Sequence, residues 1–294
     1  MSENITDENQ ILTEATTTAN IGTADFNFNQ LLVTFEELPT ASLIRSIAAV
    51  VPMKYSTGKV INVRRQSGNN SFETVSANLT VNTGAGNPVQ SGISIETAQD
   101  LQAQYGLDGY KLVANMLRGI IDEEENNAFI TWLDTNSTAG AALTLSAPTG
   151  AEQNLFEITQ RVQELVITMN SGQFRTYDAF CVLPYKSAAA ISALSRYVNE
   201  KEDIRDRLWI NKIGHTTYFV NPQVAHTNAY VGLMGKGTDT GASSVIMGTY
   251  QEEILRSKYV ESFQPNIGIL NRYATALNPL STTGNEMLHK FAIS

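Results

Sequence analysis

The chain is poor in the residues on which most enzyme chemistry rests. Cys181 is the single cysteine in 294 residues, so no disulfide can form within the chain. It lies in the apolar run Ala179–Leu183, which reads as a buried small hydrophobe. A catalytic thiol would need a histidine beside it in the fold, and no local pattern supplies one. One unpaired cysteine points to a reducing compartment. Histidine is scarce too: His215, His226 and His289 are the only three, and none has a partner at metal-ligand spacing. No Gly-x-Ser-x-Gly, phosphate-cradling Gly-x-x-x-x-Gly-Lys or His-Glu-x-x-His pattern occurs. Cations are outnumbered, with 20 Lys and Arg against 29 Asp and Glu and a net charge of −9. A surface that grips nucleic acid needs clustered Lys and Arg, so the chain as a whole is not expected to bind it. No run reaches the ~18 apolar residues of a transmembrane helix. The first residues are acidic and polar, unlike a signal peptide. These absences predict no cofactor, no metal, no membrane partner, no sequence-specific nucleic-acid partner and no enzyme. Paired catalytic carboxylates leave no sequence signature, so that one class stays open.

What is present is a long helix. From Asp108 to about Asp134 there is no proline, and Val113, Leu117, Ile120, Ile121, Ala128 and Trp132 recur at helical spacing. Asp108 suits the N-cap, because its short carboxylate can accept from unpaired backbone N–H groups. Gly106 suits the turn before it. At the helical rise the element spans about 40 Å, long enough to cross a domain and touch several layers. Its middle reads Asp122-Glu123-Glu124-Glu125. Such a row is first a solvated face. It is second a charge row facing a neighbouring subunit. A carboxylate metal site is the weakest reading, since no histidine lies near.

Met1–Asn29 is polar and has few large apolar residues, so it reads as an extended arm. Pro39–Ser42 could start a short helix through Leu43, Ile44, Ile47 and Ala48, stopped by Pro52. Pro52–Gln99 reads as a two-stranded excursion. Lys59–Arg65 goes out, Ser67–Ser71 is a turn or loop and Phe72–Val81 returns, the tip Asn82–Gly92 is loose, and Ile93–Thr97 alternates again. A lone hairpin is marginal in water, so this one is expected to take its order from another chain. Asn136–Gly150 is a connection. Leu155, Ile158, Val162, Leu165, Val166 and Met169 make a second amphipathic helix. Tyr177–Leu183 is a strand, and Tyr185 to about Lys201 a helix with an alanine face. Lys212–Val220 suits a hairpin around Gly214-His215. Ala229–Leu233, Val245–Tyr250, Ile254–Val260 and Ile267–Leu277 are further strands. Gly235–Ala242, with Gly235, Gly237 and Gly241, reads as a flexible loop tip. Strands and helices mix without regular alternation, so the class is α+β.

Three segments resemble the major capsid proteins of T-even-like tailed phages. They are Pro52-Met53-Lys54-Tyr55-Ser56-Thr57-Gly58-Lys59-Val60, then Ala98–Asp108, then Glu261–Gly268 followed by Arg272-Tyr273 and Asn278-Pro279. They fall in the family's order and bracket about residues 40 to 280. Ala274 departs from the glycine that often follows the Arg-Tyr pair, and the chain is short for the family. The resemblance implies the Hong Kong 97-type phage capsid fold. Its divisions would be an N-terminal arm at 1–45, an extended two-stranded loop at 46–100, and a peripheral domain with a spine helix at 101–175. An axial domain at 176–255 and return strands at 256–294 would complete it. The function implied is that of a structural subunit of an icosahedral shell, self-assembling into hexamers and pentamers around double-stranded DNA. The location implied is the virion, assembled in the host bacterial cytoplasm. Vertex, portal, scaffold and decoration proteins are the implied further partners. The nearest rival is the shell protein of a cellular encapsulin-type nanocompartment.

The resemblance also nominates residues. Leu12-Thr13-Glu14 followed by Ala15 resembles the apolar-x-Glu site of prohead proteases, which makes Glu14 and Ala15 the candidate cleavage pair. Lys59, Arg64 and Arg65 form a basic cluster in an acidic chain, and Asp122, Glu123, Glu124 and Glu125 on a neighbour's helix are their candidate partners. The loop with Gly235, Gly237 and Gly241 is expected near a five-fold or six-fold axis, since glycine permits the conformations that differ between rings.

Overall fold

The computed structural model describes residues 42–65, 72–81, 89–92, 94–106, 108–145, 151–171, 178–185, 187–188, 209–221, 223, 227–235, 240–241, 243–257, 266–281 and 286–293. By internal contacts the chain divides into Met1–Leu38 and Pro39–Ser294, and every described residue belongs to the second unit. Helix α1 (Leu43–Ile47) opens the described chain, with Ser42 as its N-cap. Helix α2 (Ile95–Tyr105) ends at Gly106, whose φ of +66° turns the chain into the 28-residue helix α3 (Gly109–Asn136). Asp108 caps α3 as its position in the sequence predicts. Its carboxylate accepts from the N–H groups of Tyr110 and Lys111 at 3.0 and 3.2 Å. The last helix is α4 (Ala151–Ser171).

The strands form three sheets. In the first, β1 (Ala49–Pro52) lies parallel to β10 (Val245–Ser257), β10 is antiparallel to β11 (Asn266–Leu277), and β11 is antiparallel to β4 (Val89–Gly92). The second has the order β5 (Thr138–Ala139), β12 (Leu288–Ala292), β9 (Asn228–Leu233), β6 (Ala179–Pro184), β8 (Thr216–Asn221), β7 (Trp209–Ile213). The third is the hairpin β2 (Thr57–Arg65) and β3 (Phe72–Thr80).

Alternation along the central strands of the six-stranded sheet sorts their side chains onto two faces. Cys181, Leu183, Val231 and Leu233 meet the apolar stripe of α4, including Ile158, Val162 and Met169. Phe180, Val182 and Tyr230 point the other way, onto Phe129, Ile130 and Leu133 of α3 and Leu43, Ile44 and Ile47 of α1. A strand covered on both faces reads as a continuous apolar run, as Ala179–Leu183 does. The N-terminal half of α3 lies on the four-stranded sheet instead, where Leu117 and Ile121 meet Ile267 and Ile269. The long helix therefore joins two cores, because its apolar stripe continues for its whole length.

Several expectations are corrected. Ile93–Thr97 does not return as a strand. Val89–Gly92 is the strand, and Ile95 already lies in α2, where the Ala98 N–H donates to the Ser94 carbonyl. The run Glu96–Tyr105 holds no glycine or proline and favours helix. The hairpin strands end at Arg65 and resume at Phe72, on either side of Ser67–Ser71, which the sequence reads as a turn and which lies outside the described residues, and within the expected loose tip Asn82–Gly92 the residues Val89–Gly92 form β4. Val245–Tyr250 and Ile254–Val260 are one strand through Ser257, with a register shift between Thr249 and Gln251 that marks a bulge. The residues closing the expected arm at 45 are core, since Leu43 and Ile44 are fully buried in α1. Within the expected loop 46–100, β1 and β4 are strands of the four-stranded sheet, because their backbone groups find partners there. Of the expected helix from Tyr185, only residues 185 and 187–188 are described, all helical. Strand β12 carried no periodic signal and was not expected.

Candidate functional site

The groups that could carry catalysis are dispersed. Cys181 is fully buried, and burial pushes its thiol pKa well up. His215 stands exposed at the turn between β7 and β8, its Nδ1 3.5 Å from Asp178 Oδ1. His289 on β12 is partly buried, with Nε2 3.2 Å from the Glu286 carbonyl, and burial lowers its pKa. His226 lies outside the described residues. Among the described residues no three His, Cys, Asp or Glu side chains gather where they could hold a metal.

The acidic row divides by helical phase. Asp122 and Glu125 are 7% and 2% exposed, while Glu123 and Glu124 are exposed. Residues three apart share a helix face, and here that face is buried, with its Glu125 end beside α1. Glu125 Oε2 lies 3.7 Å from Arg45 Nε, and Asn126 Oδ1 accepts from the Leu43 N–H at 2.6 Å. The Tyr273 hydroxyl is pushed up to about 12, first by burial and then by Glu125 and Glu124. The row is thus not a solvated face as a whole. Two of its carboxylates are buried within their own subunit, and Glu123 and Glu124 keep the surface.

The hairpin also divides by face. Val60 and Leu79 are buried against Ile246 and Ala274 of the four-stranded sheet, so one face of the hairpin is held by its own chain. Asn62 makes a polar anchor. Its Nδ2 donates to Asn278 Oδ1 at 3.0 Å, and its Oδ1 accepts from Thr240 Oγ1 at 2.9 Å. The outer face carries Lys59, Ile61 and Val63, all exposed. Arg64 and Arg65 stand in β2 opposite Glu73 and Phe72 in register.

The glycine loop begins in the core. Gly235 is buried, its N–H donates to the Ile47 carbonyl at 2.9 Å, and a Cβ there would meet the Ala49 nitrogen at 2.6 Å. At Gly235 glycine serves close approach rather than mobility. Gly241 is half-buried beside the Thr240 anchor, and Gly237, Glu14 and Ala15 lie outside the described residues. The Asn62–Asn278–Thr240 network was missed. Its only signal in the sequence was a polar residue within the apolar run Val60–Val63.

Residues 86–171, which hold β4, α2, α3 and α4, match the family described as Major capsid protein Gp23. No curated protein matches the chain. Among solved structures, the capsid of the cyanophage P-SCSP1u is similar at a TM-score of 0.58 and 8% identity, with 94% of each chain covered. The virus-like particle from Pyrococcus furiosus is similar at 0.54 and 9%, over 86% of this chain and 92% of that one. The capsid of an empty GTA particle is similar at 0.53 and 13%, over 95% and 98%. With a long helix lying across a sheet of long strands and a separate six-stranded sheet beyond it, the chain has the α+β Hong Kong 97-type capsid fold.

Proposed function

We propose that this chain is a structural subunit of a tailed-phage icosahedral capsid. It assembles into hexamers and pentamers that close around double-stranded DNA, and it performs no reaction. The observation that carries the reading is the match of residues 86–171, the segment holding the spine helix α3, to the Gp23 major capsid family. The fold alone does not choose between a phage shell and an encapsulin-type compartment, because the Pyrococcus particle shares it. The Gp23 match favours the phage and supports the narrower reading of a T-even-like subunit in the virion. A net charge of −9 fits a container whose wall should not hold the packed genome.

A shell subunit needs self-complementary surfaces that close by rotation. The exposed hairpin face with Lys59, together with Arg64, Arg65 and the surface carboxylates Glu123 and Glu124, is proposed to supply one such surface. The rest of the loop anchored at Gly235 and Thr240 is proposed to approach the five-fold and six-fold axes. Cleavage between Glu14 and Ala15 is proposed to precede maturation, and an intact mass from particles that begins at or next to Met1 would end that part. The main test is electron microscopy with sedimentation of the purified chain. Closed shells, or rings of five and six, are expected. A stable compact monomer that turns over a substrate overturns the reading.

A further inference from the structure

Strand β10 is thirteen residues long, and β11 accompanies it from Val245 to Ser257. On its other edge β1 accompanies it only from Ile246 to Thr249. The last bond there runs from the Met53 N–H to the Thr249 carbonyl, just after Pro52 closes β1. At the same point the bulge at Tyr250 turns the strand, and the Arg272 guanidinium sits 5.6 Å over the Tyr250 ring. From Gln251 to Ser257 no described strand lies on this edge. A row of open N–H and C=O groups is a template for pairing, which proteins usually blunt with proline, bulges or shortness. This segment has no proline or glycine, and Ile254 at its centre is 51% exposed.

The segment is also complementary to itself when run antiparallel. With Ile254 opposite Ile254 of a second copy, Glu252 falls opposite Arg256, Gln251 opposite Ser257 and Glu253 opposite Leu255. The two-fold axis repeats each pair, so opposite charges meet twice and no like charges meet. In this register residues of the same alternation stand opposite each other, which keeps one face of the sheet on one side in both copies. The spine helices, packed on that sheet through Leu117 and Ile121, then also stay on one side, as a wall with an inside and an outside requires. A slip that centres on Glu253 instead would set Glu253 against itself.

We propose that the Gln251–Ser257 edge of β10 is an interface between two copies of this chain, paired antiparallel about a two-fold axis at Ile254. The inference rests on the shell reading, since a closed icosahedral shell contains such axes, and it names one surface through which they form. Two tests bear on it. Ile254→Cys is made in the full chain, where the one native cysteine, Cys181, is buried. Directly opposed residues bring their Cα atoms to about 4.5–5.5 Å, within disulfide reach. Mild oxidation of assembled particles is expected to give linked dimers. The same change at exposed Tyr55 is expected to leave single chains. In the second test, Glu252→Arg or Arg256→Glu alone weakens assembly about tenfold, and the double swap restores it. If particles form normally but Ile254→Cys yields no dimers, or both single reversals assemble like the native chain, the edge proposal is overturned and the shell reading stands. If Ile254→Cys dimers form while no shell or ring is ever seen, the edge holds and the shell reading falls.

Discussion

In β6 every residue from Ala179 to Pro184 is buried, whereas along β2 burial falls on Val60 and Asn62 and skips Lys59, Ile61 and Val63. The two strands differ in what lies above and below them. β6 sits between two neighbours in its sheet, with α4 on one face and α1 and α3 on the other. β2 has β3 beside it and the four-stranded sheet beneath, and its upper face is uncovered. The centre of the six-stranded sheet is therefore covered on both faces by its own chain. The hairpin is half covered in this way and leaves its other face exposed. The proposed shell function has use for both: a body held by its own core, and a projection with a face left for neighbours.

The widest gap between the two regions is expected at Phe180. Its ring is fully buried between the sheet and α3, so Phe180→Ala should cost about 3–5 kcal/mol. Urea unfolding would report this as a loss of the whole cooperative transition. A loss confined to a minor phase would mean that the sheet is not the central support of the subunit.

Asn62→Leu should act more narrowly. It leaves Asn278 and Thr240 without their hairpin partner, at a cost of about 1–3 kcal/mol. Amide exchange should accelerate through β2 and β3 while β6 and β9 keep their protection. Equal acceleration in both would erase the distinction drawn here.

A smaller effect should come from pH. Burial holds the His289 pKa below its ordinary value of 6.5. An unfolded chain therefore binds the extra proton first as pH falls, and the stability contributed by the neutral ring is complete above about 6.5 and lost on acidification through the lower folded value. His289→Gln should flatten that slope, which thermal melts between neutral and mildly acid pH would resolve. Because His289 lies on β12, hairpin exchange should not follow the same titration.

The smallest effect on folding is expected from Arg64→Glu combined with Arg65→Glu. Ion pairs at a surface between subunits, the role proposed for these residues, contribute about 0–1 kcal/mol each, so circular dichroism should show a folded chain. Under the proposed shell function sedimentation should show impaired assembly, because a small loss repeats at every contact around a ring. Normal shells would remove the basic cluster from the interface, and a melted subunit would make it part of the fold.

Much of the local structure was readable from the residues. The α3 stripe, its Asp108 cap and the Gly106 turn needed only helical period and capping chemistry. The α4 stripe and the apolar run of β6 were equally plain. The class α+β and the capsid resemblance followed from such signals and from three short segments. The failures have a common form. Ile93–Thr97 alternates over too few residues to tell strand from helix, and the choice fell to the β11 strand that takes Val89–Gly92 instead. Asp122 and Glu125 look the same as Glu123 and Glu124 in a charge run, yet the fold buries the first pair and leaves the second exposed, with Arg45 of α1, eighty residues earlier, brought beside Glu125. Gly235 looked like a tip because glycine permits mobility and close packing alike, and only the approach of Ala49 distinguishes them. Sequence by itself determined where backbone periods begin and end, since those depend on residues within a few positions of one another. Which face is covered, which carboxylate is buried and how far one strand accompanies another depended on segments far apart in the chain, and those the tertiary structure alone decided.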